Sequence, residues 1–285
     1  MYPNLFIIGA AKSGTSALHY YLGLHPNIHM STPKEPHYFS RRAEGAPSHK
    51  QLTPRQYERL FDSAKPVRGE SSVSYSFWPY PSGVPEMIHE IAPDARFIYL
   101  VRDPVKRSIQ HYFHRIGLGT EHRDLQDVIR EPREHEERYI AASSYATQFE
   151  QYAKLFGDER ILVVDHADLL ARRAQTLRDV YGFLHVDPSF TSASFDVRVN
   201  ESTNQRRFSP IGSRIAESPF YTGVTRWIRP DIRQKLIKPV RNALSAPVIL
   251  PEVGDDVRAY FAEQLEPEAR RFRALTGRRF EHWAV

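Results

Sequence analysis

The stretch LFIIGAAKSGTSALHYYLGLHPNI, residues 5–28, decides the fold of this chain. An apolar run of strand length leads into a short loop of small residues around Lys12, and apolar residues at helical spacing follow. In a strand–loop–helix unit the loop N–H groups and the helix N-terminus point at one spot, which favours an anion such as phosphate. The stretch therefore predicts a phosphate loop at the start of an α/β domain.

The residue types of this loop suit phosphate. Gly9 and Gly14 permit close approach of the backbone, and Lys12 adds a positive charge. Hydroxyl donors are supplied by Ser13, Thr15 and Ser16. Only two residues separate Gly9 from Lys12, so the loop is shorter than the triphosphate loop GxxxxGK[ST]. An ordinary strand-to-helix turn is the alternative for this segment taken alone.

Two further apolar runs, FIYLV at 97–101 and ILVVD at 161–165, are also typical of buried parallel strands. Each is followed by a segment with helical spacing, and VRGE at 67–70 predicts a further short strand. The repeated order strand, loop, helix predicts an α/β fold with a central parallel sheet flanked by helices.

Composition limits the classes of protein to consider. The 285 residues suit one domain over 1–285, and the net charge of +5 favours anionic partners. The absence of cysteine excludes disulfides, thiolate catalysis and cysteine zinc sites. Residues 1–9 lack a basic leader with a cleavable apolar segment, and no window approaches 18 apolar residues. We therefore expect a soluble cytoplasmic protein; the sequence does not indicate its oligomeric state.

The segment TRWIRPDIRQKLIKPVRNAL, residues 225–244, sets apolar residues against a basic face. A basic amphipathic helix docked on the domain is the favoured interpretation, and contact with a membrane surface or an anionic acceptor is the alternative. The segment matches no nucleic-acid-binding motif, so we expect no nucleic-acid partner. A noncatalytic binder of anionic polymers is a further alternative.

Two more features complete a candidate site. Arg102 ends a predicted strand, and ligands of open α/β sheets bind at that edge; an ion pair with Asp103 is the alternative. In PKEPHYFS, residues 33–40, Glu35 and His37 lie two apart in an extended segment and can project to the same side; a surface loop with an incidental acid and histidine is the favoured alternative for this segment taken alone.

In their order and spacing, LFIIGAAKSGTSAL, KEPHYFS and FIYLVRDPVKRSIQHYF resemble the sulfotransferases that use 3′-phosphoadenosine 5′-phosphosulfate (PAPS). The likeness is greatest to the branch with heparan-sulfate sulfotransferases and many bacterial relatives. It continues through 143–190 and RALTGRRFEHW but leaves out about 200–250, which we expect to be a variable acceptor or cap region. It implies a P-loop-like sulfotransferase fold and sulfuryl transfer, without metal, to a hydroxyl of a carbohydrate, glycolipid or small-molecule acceptor.

The resemblance also implies roles for individual residues. Lys12 takes the place of the lysine at the bridging oxygen of the donor, Arg102 and the helix after it bind the 3′-phosphate, and Glu35 is the base, with His37 as its helper. The implied 5′-phosphosulfate loop consists of Lys12, Ser13, Gly14, Thr15 and Ser16.

This chain departs from the family pattern at two positions. Gln110 stands where the 3′-phosphate motif usually has serine, although its amide can still donate a hydrogen bond. Residues 70–75 are ESSVSY where the heparan-sulfate enzymes often have EKTPxY, so Ser71 replaces their second lysine. The residues expected to line the acceptor site are Glu70, Ser71 and Tyr75, and Arg206 and Arg207 are candidates for covering the nucleotide.

A P-loop kinase or ATPase is the chief alternative function. Asp165 at the end of ILVVD would then hold magnesium. The short loop and the position of Arg102 argue against this alternative, and Asp165 is better interpreted as a turn or helix-capping residue.

Overall fold

A sheet of five parallel strands forms the centre of the computed structural model, in the order β2, β3, β1, β4, β5. The strands are β1 Leu5–Gly9, β2 Ile28–Met30, β3 Val67–Ser71, β4 Arg96–Val101 and β5 Ile161–Asp165. An antiparallel pair, β6 Arg206–Phe208 and β7 Ser245–Pro247, forms a second sheet. The predicted α/β fold with a central parallel sheet is confirmed, and VRGE lies in β3.

The structure describes residues 1–41, 51–118, 120–132, 134–197, 206–208, 245–247 and 250–285. The segment 225–244 and most of the expected cap at 200–250 lie outside the described residues. Arg206 and Arg207 begin β6, but their side chains are also outside the description.

Helices cover both faces of the sheet. They are α1 Thr15–Gly23, α2 Pro54–Arg59, α3 Val84–Ile91, α4 Pro104–Leu118, α5 Leu125–Arg130, α6 Glu134–Ala141, α7 Tyr145–Phe156, α8 His166–Ala171, α9 Arg173–Phe183 and α10 Asp255–Thr276. None of the helices in the described ranges is long and apolar enough to cross a membrane.

The alternation of side chains along β1 shows why the strands are apolar throughout. Phe6 and Ile8 pack with α3, α7 and the C-terminal part of α10, whereas Leu5 and Ile7 pack with α1 and α9. All residues of β1 are buried because neither face of the sheet meets solvent.

The strand order creates a crevice at one edge of the sheet. The chain leaves β1 towards β2 on one side and leaves β4 towards β5 on the other, although β1 and β4 are neighbours. Such a reversal opens a crevice at the carboxyl ends of the two strands, where ligands of these folds bind. The phosphate loop follows β1 and Arg102 follows β4, so the fold brings both to this crevice.

Candidate active site

The loop between β1 and α1 has the backbone of a ligand-binding turn. Lys12 and Gly14 have φ of 68° and 94°, and a Cβ on Gly14 would lie 3.0 Å from Cδ2 of His166. Gly14 is the N-cap residue of α1 and offers no side-chain cap, which leaves the first N–H groups of the helix open to a ligand. Ser13 and Thr15 are buried beside it, and Ser16 is half-buried.

Lys12 is a half-buried cation with no ion pair among the described residues. Burial lowers the pKa of its ammonium group, Glu35 raises it and the charge of Lys34 lowers it further. A cation that is partly desolvated and unpaired favours an anionic ligand.

Arg102 bridges the crevice. Its Nη1 donates to the carbonyl oxygen of Lys12 at 3.3 Å, and the hydroxyl of Tyr145 donates to the Arg102 carbonyl at 2.8 Å. The alternative prediction, an ion pair between Arg102 and Asp103, is wrong. The carboxylate of Asp103 accepts from the backbone N–H groups of Lys106 and Ala284 at 2.9 and 2.8 Å. Asp103 thus caps α4, and the Arg102 guanidinium has no carboxylate partner among the described side chains.

A cavity of about 460 Å³ opens beside Arg102, between α4 and the segment leading into α10. Its lining residues are Arg102, Lys106, Ile109, Gln110, Phe113, Leu250, Pro251, Glu252, Val253 and Arg258. Three of them are cations and one is an acid. Buried Oε1 of Gln110 has no hydrogen-bond partner in the described part of the chain. Ser108, the serine two residues before Gln110, does not face this cavity. Its hydroxyl points inward and bonds the carbonyls of Pro104 and Tyr139 and the hydroxyl of Ser143.

The side chains of Glu35 and His37 lie together, as the sequence predicts, but the predicted extended segment is wrong because both residues have left-handed φ values. Nε2 of His37 lies 3.3 Å from Oε2 of Glu35, and Nζ of Lys34 pairs with Oε1. Burial works to raise the pKa of Glu35, but the hydrogen bond with His37 and the charge and hydrogen bond of Lys34 outweigh it and lower the pKa to about 2. Glu35 is therefore ionised at neutral pH and able to accept a proton.

The backbone of this segment is strained at its functional residues. Glu35 and His37 have φ of 60° and 53°, in the left-handed region that costs about 1–2 kcal/mol per non-glycine residue. Strain of this kind concentrates at functional sites, because the surrounding structure must enforce it.

The segment ESSVSY, residues 70–75, enforces this conformation. The N–H of Glu35 donates to the Ser71 carbonyl at 3.0 Å, and the N–H of His37 donates to Oγ of Ser72 at 3.1 Å. Nδ1 of His37 lies 2.7 Å from Oγ of Ser74. The hydroxyls of Ser72 and Ser74 thus hold His37, and the backbone carbonyl of Ser71 holds Glu35.

Glu70 and Tyr75 lie in the core beneath this scaffold. The Glu70 carboxylate is completely buried and accepts from the hydroxyls of Tyr57, Ser72 and Tyr75 at 2.5, 2.7 and 2.9 Å. Burial raises the pKa of Glu70, and these hydrogen bonds partly offset that effect. The assignment of Glu70, Ser71 and Tyr75 to the acceptor site stays a prediction.

Replacing Glu70 by alanine should destabilise the protein by about 3 kcal/mol, since three buried hydroxyls lose their acceptor and a cavity forms. Thermal denaturation should show this as a fall in Tm of roughly 6–10 °C. Glu58→Ala is the control, because Glu58 is part-exposed and its carboxylate pairs with the N-terminal amine at 3.6 Å. A Glu70→Ala loss below about 1 kcal/mol would show that the network contributes little.

Several site residues were not found from the sequence. Burial is the largest cause that lowers the pKa of His114, to about 4. The charge of Lys12 lowers this pKa further and Glu35 raises it, so His114 lies near both residues. His19 bonds the Ser71 hydroxyl at 2.8 Å, and burial lowers its pKa to about 3. His114 could have been found, because it lies one helical turn after Gln110 on α4.

Asp165 is a helix cap. Its Oδ1 accepts from the N–H of Ala167 at 2.9 Å at the start of α8, and Oδ2 lies 3.2 Å from Nε2 of His282. This confirms the capping interpretation. Across the described ranges no group of three or more histidine or acidic side chains is arranged to hold a metal ion.

Known proteins resemble this chain in sequence and in fold. The model of the Sulfotransferase family matches residues 3–191. A crystal structure of a sulfotransferase from Alicyclobacillus acidocaldarius is 26% identical and covers all of both chains with a TM-score of 0.67. The predicted resemblance and the P-loop-like sulfotransferase fold are thereby confirmed.

Curated relatives match over shorter regions. Heparan sulfate glucosamine 3-O-sulfotransferase 6 of Homo sapiens is 34% identical over 112 residues, which are 39% of this chain and 30% of that protein. Heparan sulfate glucosamine 3-O-sulfotransferase 3A1 of Mus musculus is 27% identical over 199 residues, which are 68% of this chain and 48% of the relative. The chain thus spans less than half the length of these relatives.

Proposed function

Because the chain belongs to the sulfotransferase family, we propose that it transfers the sulfuryl group of PAPS to a hydroxyl group of an acceptor. The observation that carries this proposal is the convergence of Lys12, Arg102 and Glu35 at the crevice between β1 and β4. The acceptor classes are carbohydrate, glycolipid and small hydroxylated molecule, and the names of the relatives favour carbohydrate.

The donor fits the side chains at the crevice. The open N-terminus of α1 and Lys12 suit the 5′-phosphosulfate, as do the loop residues Ser13 to Ser16. Arg102 and Gln110 line one cavity, where the Gln110 amide can turn its Nε2 towards a 3′-phosphate. Arg206 and Arg207 stay predicted covering residues.

In the proposed reaction, Glu35 takes the proton of the acceptor hydroxyl while the acceptor oxygen attacks sulfur. The bond between sulfur and the bridging oxygen breaks, its electron pair stays on the 5′-phosphate, and 3′,5′-ADP (PAP) leaves. Lys12 stabilises the charge that develops on the leaving phosphate, and His37 orients Glu35 or the acceptor. The proposal needs no metal ion and no nucleic-acid partner.

We propose that residues 1–285 form one sulfotransferase domain with a variable acceptor or cap region at about 200–250. Cytoplasmic location stays a prediction, as does contact of 225–244 with a membrane surface.

Titration with PAP, and separately with ATP and magnesium, distinguishes this function from the kinase or ATPase alternative. Tight PAP binding without metal supports the proposal. Tight binding that requires the triphosphate and magnesium, with no affinity for PAP, would contradict it.

Arg102→Met should weaken PAP binding by roughly 10- to 100-fold, because charge-assisted hydrogen bonds to the 3′-phosphate are lost. Binding of AMP, which lacks the 3′-phosphate, should change less than about threefold. Calorimetry on both ligands measures the difference, with Arg160→Met as the control because Arg160 pairs with Asp94 elsewhere. Equal losses for PAP and AMP would place Arg102 away from the 3′-phosphate.

A further inference from the structure

Lys34 forms a direct ion pair with Glu35, the proposed base. Its ammonium group pairs with Oε1 of Glu35, while Nε2 of His37 lies 3.3 Å from Oε2. Both oxygens of the carboxylate therefore face a donor. The Lys34 side chain is only 20% exposed, so it is part of the site and not a surface lysine.

Lys34 retains donors for a ligand. Glu35 is the sole acceptor of its Nζ among the described residues, so two of its three N–H groups have no protein partner there. The segment around it is fixed, because Oγ of Ser31 donates to the Pro33 carbonyl at 3.3 Å and the N–H of Glu35 donates to the Ser71 carbonyl.

The charge of Lys34 also acts on other titratable groups of the site. It contributes to the lowered pKa values of Lys12 and His19, where burial is the largest cause. Lys34, Lys12 and Glu35 thus form one electrostatic cluster with two cations and one anion.

We propose that Lys34 is the second cation of the reaction centre: it balances Glu35 before transfer and acts on the transferring sulfuryl group once Glu35 is protonated. This inference rests on the proposed function. When the acceptor proton moves to Glu35, the carboxylate loses its charge and the ammonium of Lys34 is left unbalanced. In the same step the sulfur–oxygen bond breaks and negative charge develops on the leaving 5′-phosphate.

The charge of Lys34 becomes unbalanced only as the transition state forms, and this explains why such a lysine accelerates the reaction. An interaction that strengthens only in the transition state raises kcat, whereas one of equal strength throughout changes binding alone. Fixed charges in a partly desolvated site are effective because they need no reorganisation during reaction. Lys34 meets this condition, since its charge is cancelled by Glu35 only until the proton moves.

Lys34→Met should lower kcat by roughly 10- to 100-fold and change PAP affinity less than about threefold. Lys34→Arg should restore part of kcat, because it returns the charge. Lys65→Met is the matched control: Lys65 is a part-buried lysine that bonds the carbonyls of His25 and Ile28. Heparan sulfate, or whichever carbohydrate the wild type sulfates from labelled PAPS, is the probe.

A double-mutant cycle with Glu35→Gln separates direct action on the sulfuryl group from a role exerted only through Glu35. Because the Glu35→Gln substitution leaves the charge of Lys34 uncancelled, removal of Lys34 should still lower kcat by about tenfold or more in that background. A loss of less than about threefold there, or a normal kcat in Lys34→Met, would overturn the inference. Absence of transfer by the wild-type protein would overturn the proposed function and this inference with it.

Carbon-13 NMR of the Glu35 carboxyl gives a readout that needs no acceptor. The carboxyl should titrate at higher pH in Lys34→Met than in wild type, because the cation that favours its ionised form is gone. The other titratable groups whose charges act at this site are Lys12, His19, His37 and His114. An unchanged titration would contradict the pairing, and Lys65→Met should titrate like wild type.

Discussion

Glu35→Gln is expected to lower kcat for sulfuryl transfer by about 10²–10⁴-fold while PAP affinity stays within about threefold. Glutamine has nearly the shape of glutamate but cannot take the proton of the acceptor hydroxyl. Initial rates with labelled PAPS measure the first effect, and calorimetry with PAP measures the second.

The ionisation of Glu35 supports this expectation. Its folded-state pKa of about 2 lies below the ordinary value of 4.5, so Glu35 is ionised at neutral pH. Because the pKa of Glu35 is lowered on folding, its pairs with Lys34 and His37 stabilise the folded protein fully at pH values above 4.5. This contribution to stability is lost as the pH falls through about 2.

Glu150→Gln is the matched control, because Glu150 pairs with Arg271 away from the crevice. Near-normal turnover by Glu35→Gln would remove Glu35 as the base. Loss of PAP affinity in proportion to kcat would show instead that the substitution disrupts the donor site.

Lys12→Met is expected to lower kcat by about 10²–10³-fold and to weaken PAP binding by about tenfold or more. The lysine charge acts on the donor phosphate in the ground state and more strongly as the leaving oxygen gains charge. Methionine keeps the Cβ at a residue with φ of 68°, so backbone strain is similar and the loss reports on the charge.

Lys154→Met is the control for this second change, since Lys154 is exposed on α7. An unchanged kcat with weaker PAP binding would make Lys12 a binding residue only. Unchanged values of both would place the donor elsewhere.

The sheet and its binding edge could be predicted because they depend on local patterns. Short apolar runs define β1, β4 and β5, and parallel strands bring the residues after them to one edge. This logic placed Lys12 and Arg102 together. The strand IHM at 28–30 was not predicted, because three residues at a sheet edge carry too short a pattern.

The support of the proposed base could not be predicted in the same way. Ser71, Ser72 and Ser74 act through hydrogen bonds to residues more than 30 positions away, and a serine carries no periodic signal of such a partner. Lys34 could not be predicted for a different reason: a lysine next to an acid in sequence carries no signal that its ammonium group turns back to pair with that acid.

Sulfuryl transfer from labelled PAPS tests the central claim most directly. The protein is incubated with PAPS carrying ³⁵S, without added metal, together with heparan sulfate or a cell extract, and the product is identified by mass spectrometry. We predict that label moves to a hydroxyl of the acceptor while PAP forms in equal amount, and that Glu35→Gln slows both by about 10²–10⁴-fold. Release of PAP without a sulfated product, or transfer of phosphate from ATP in place of sulfate, would contradict the account.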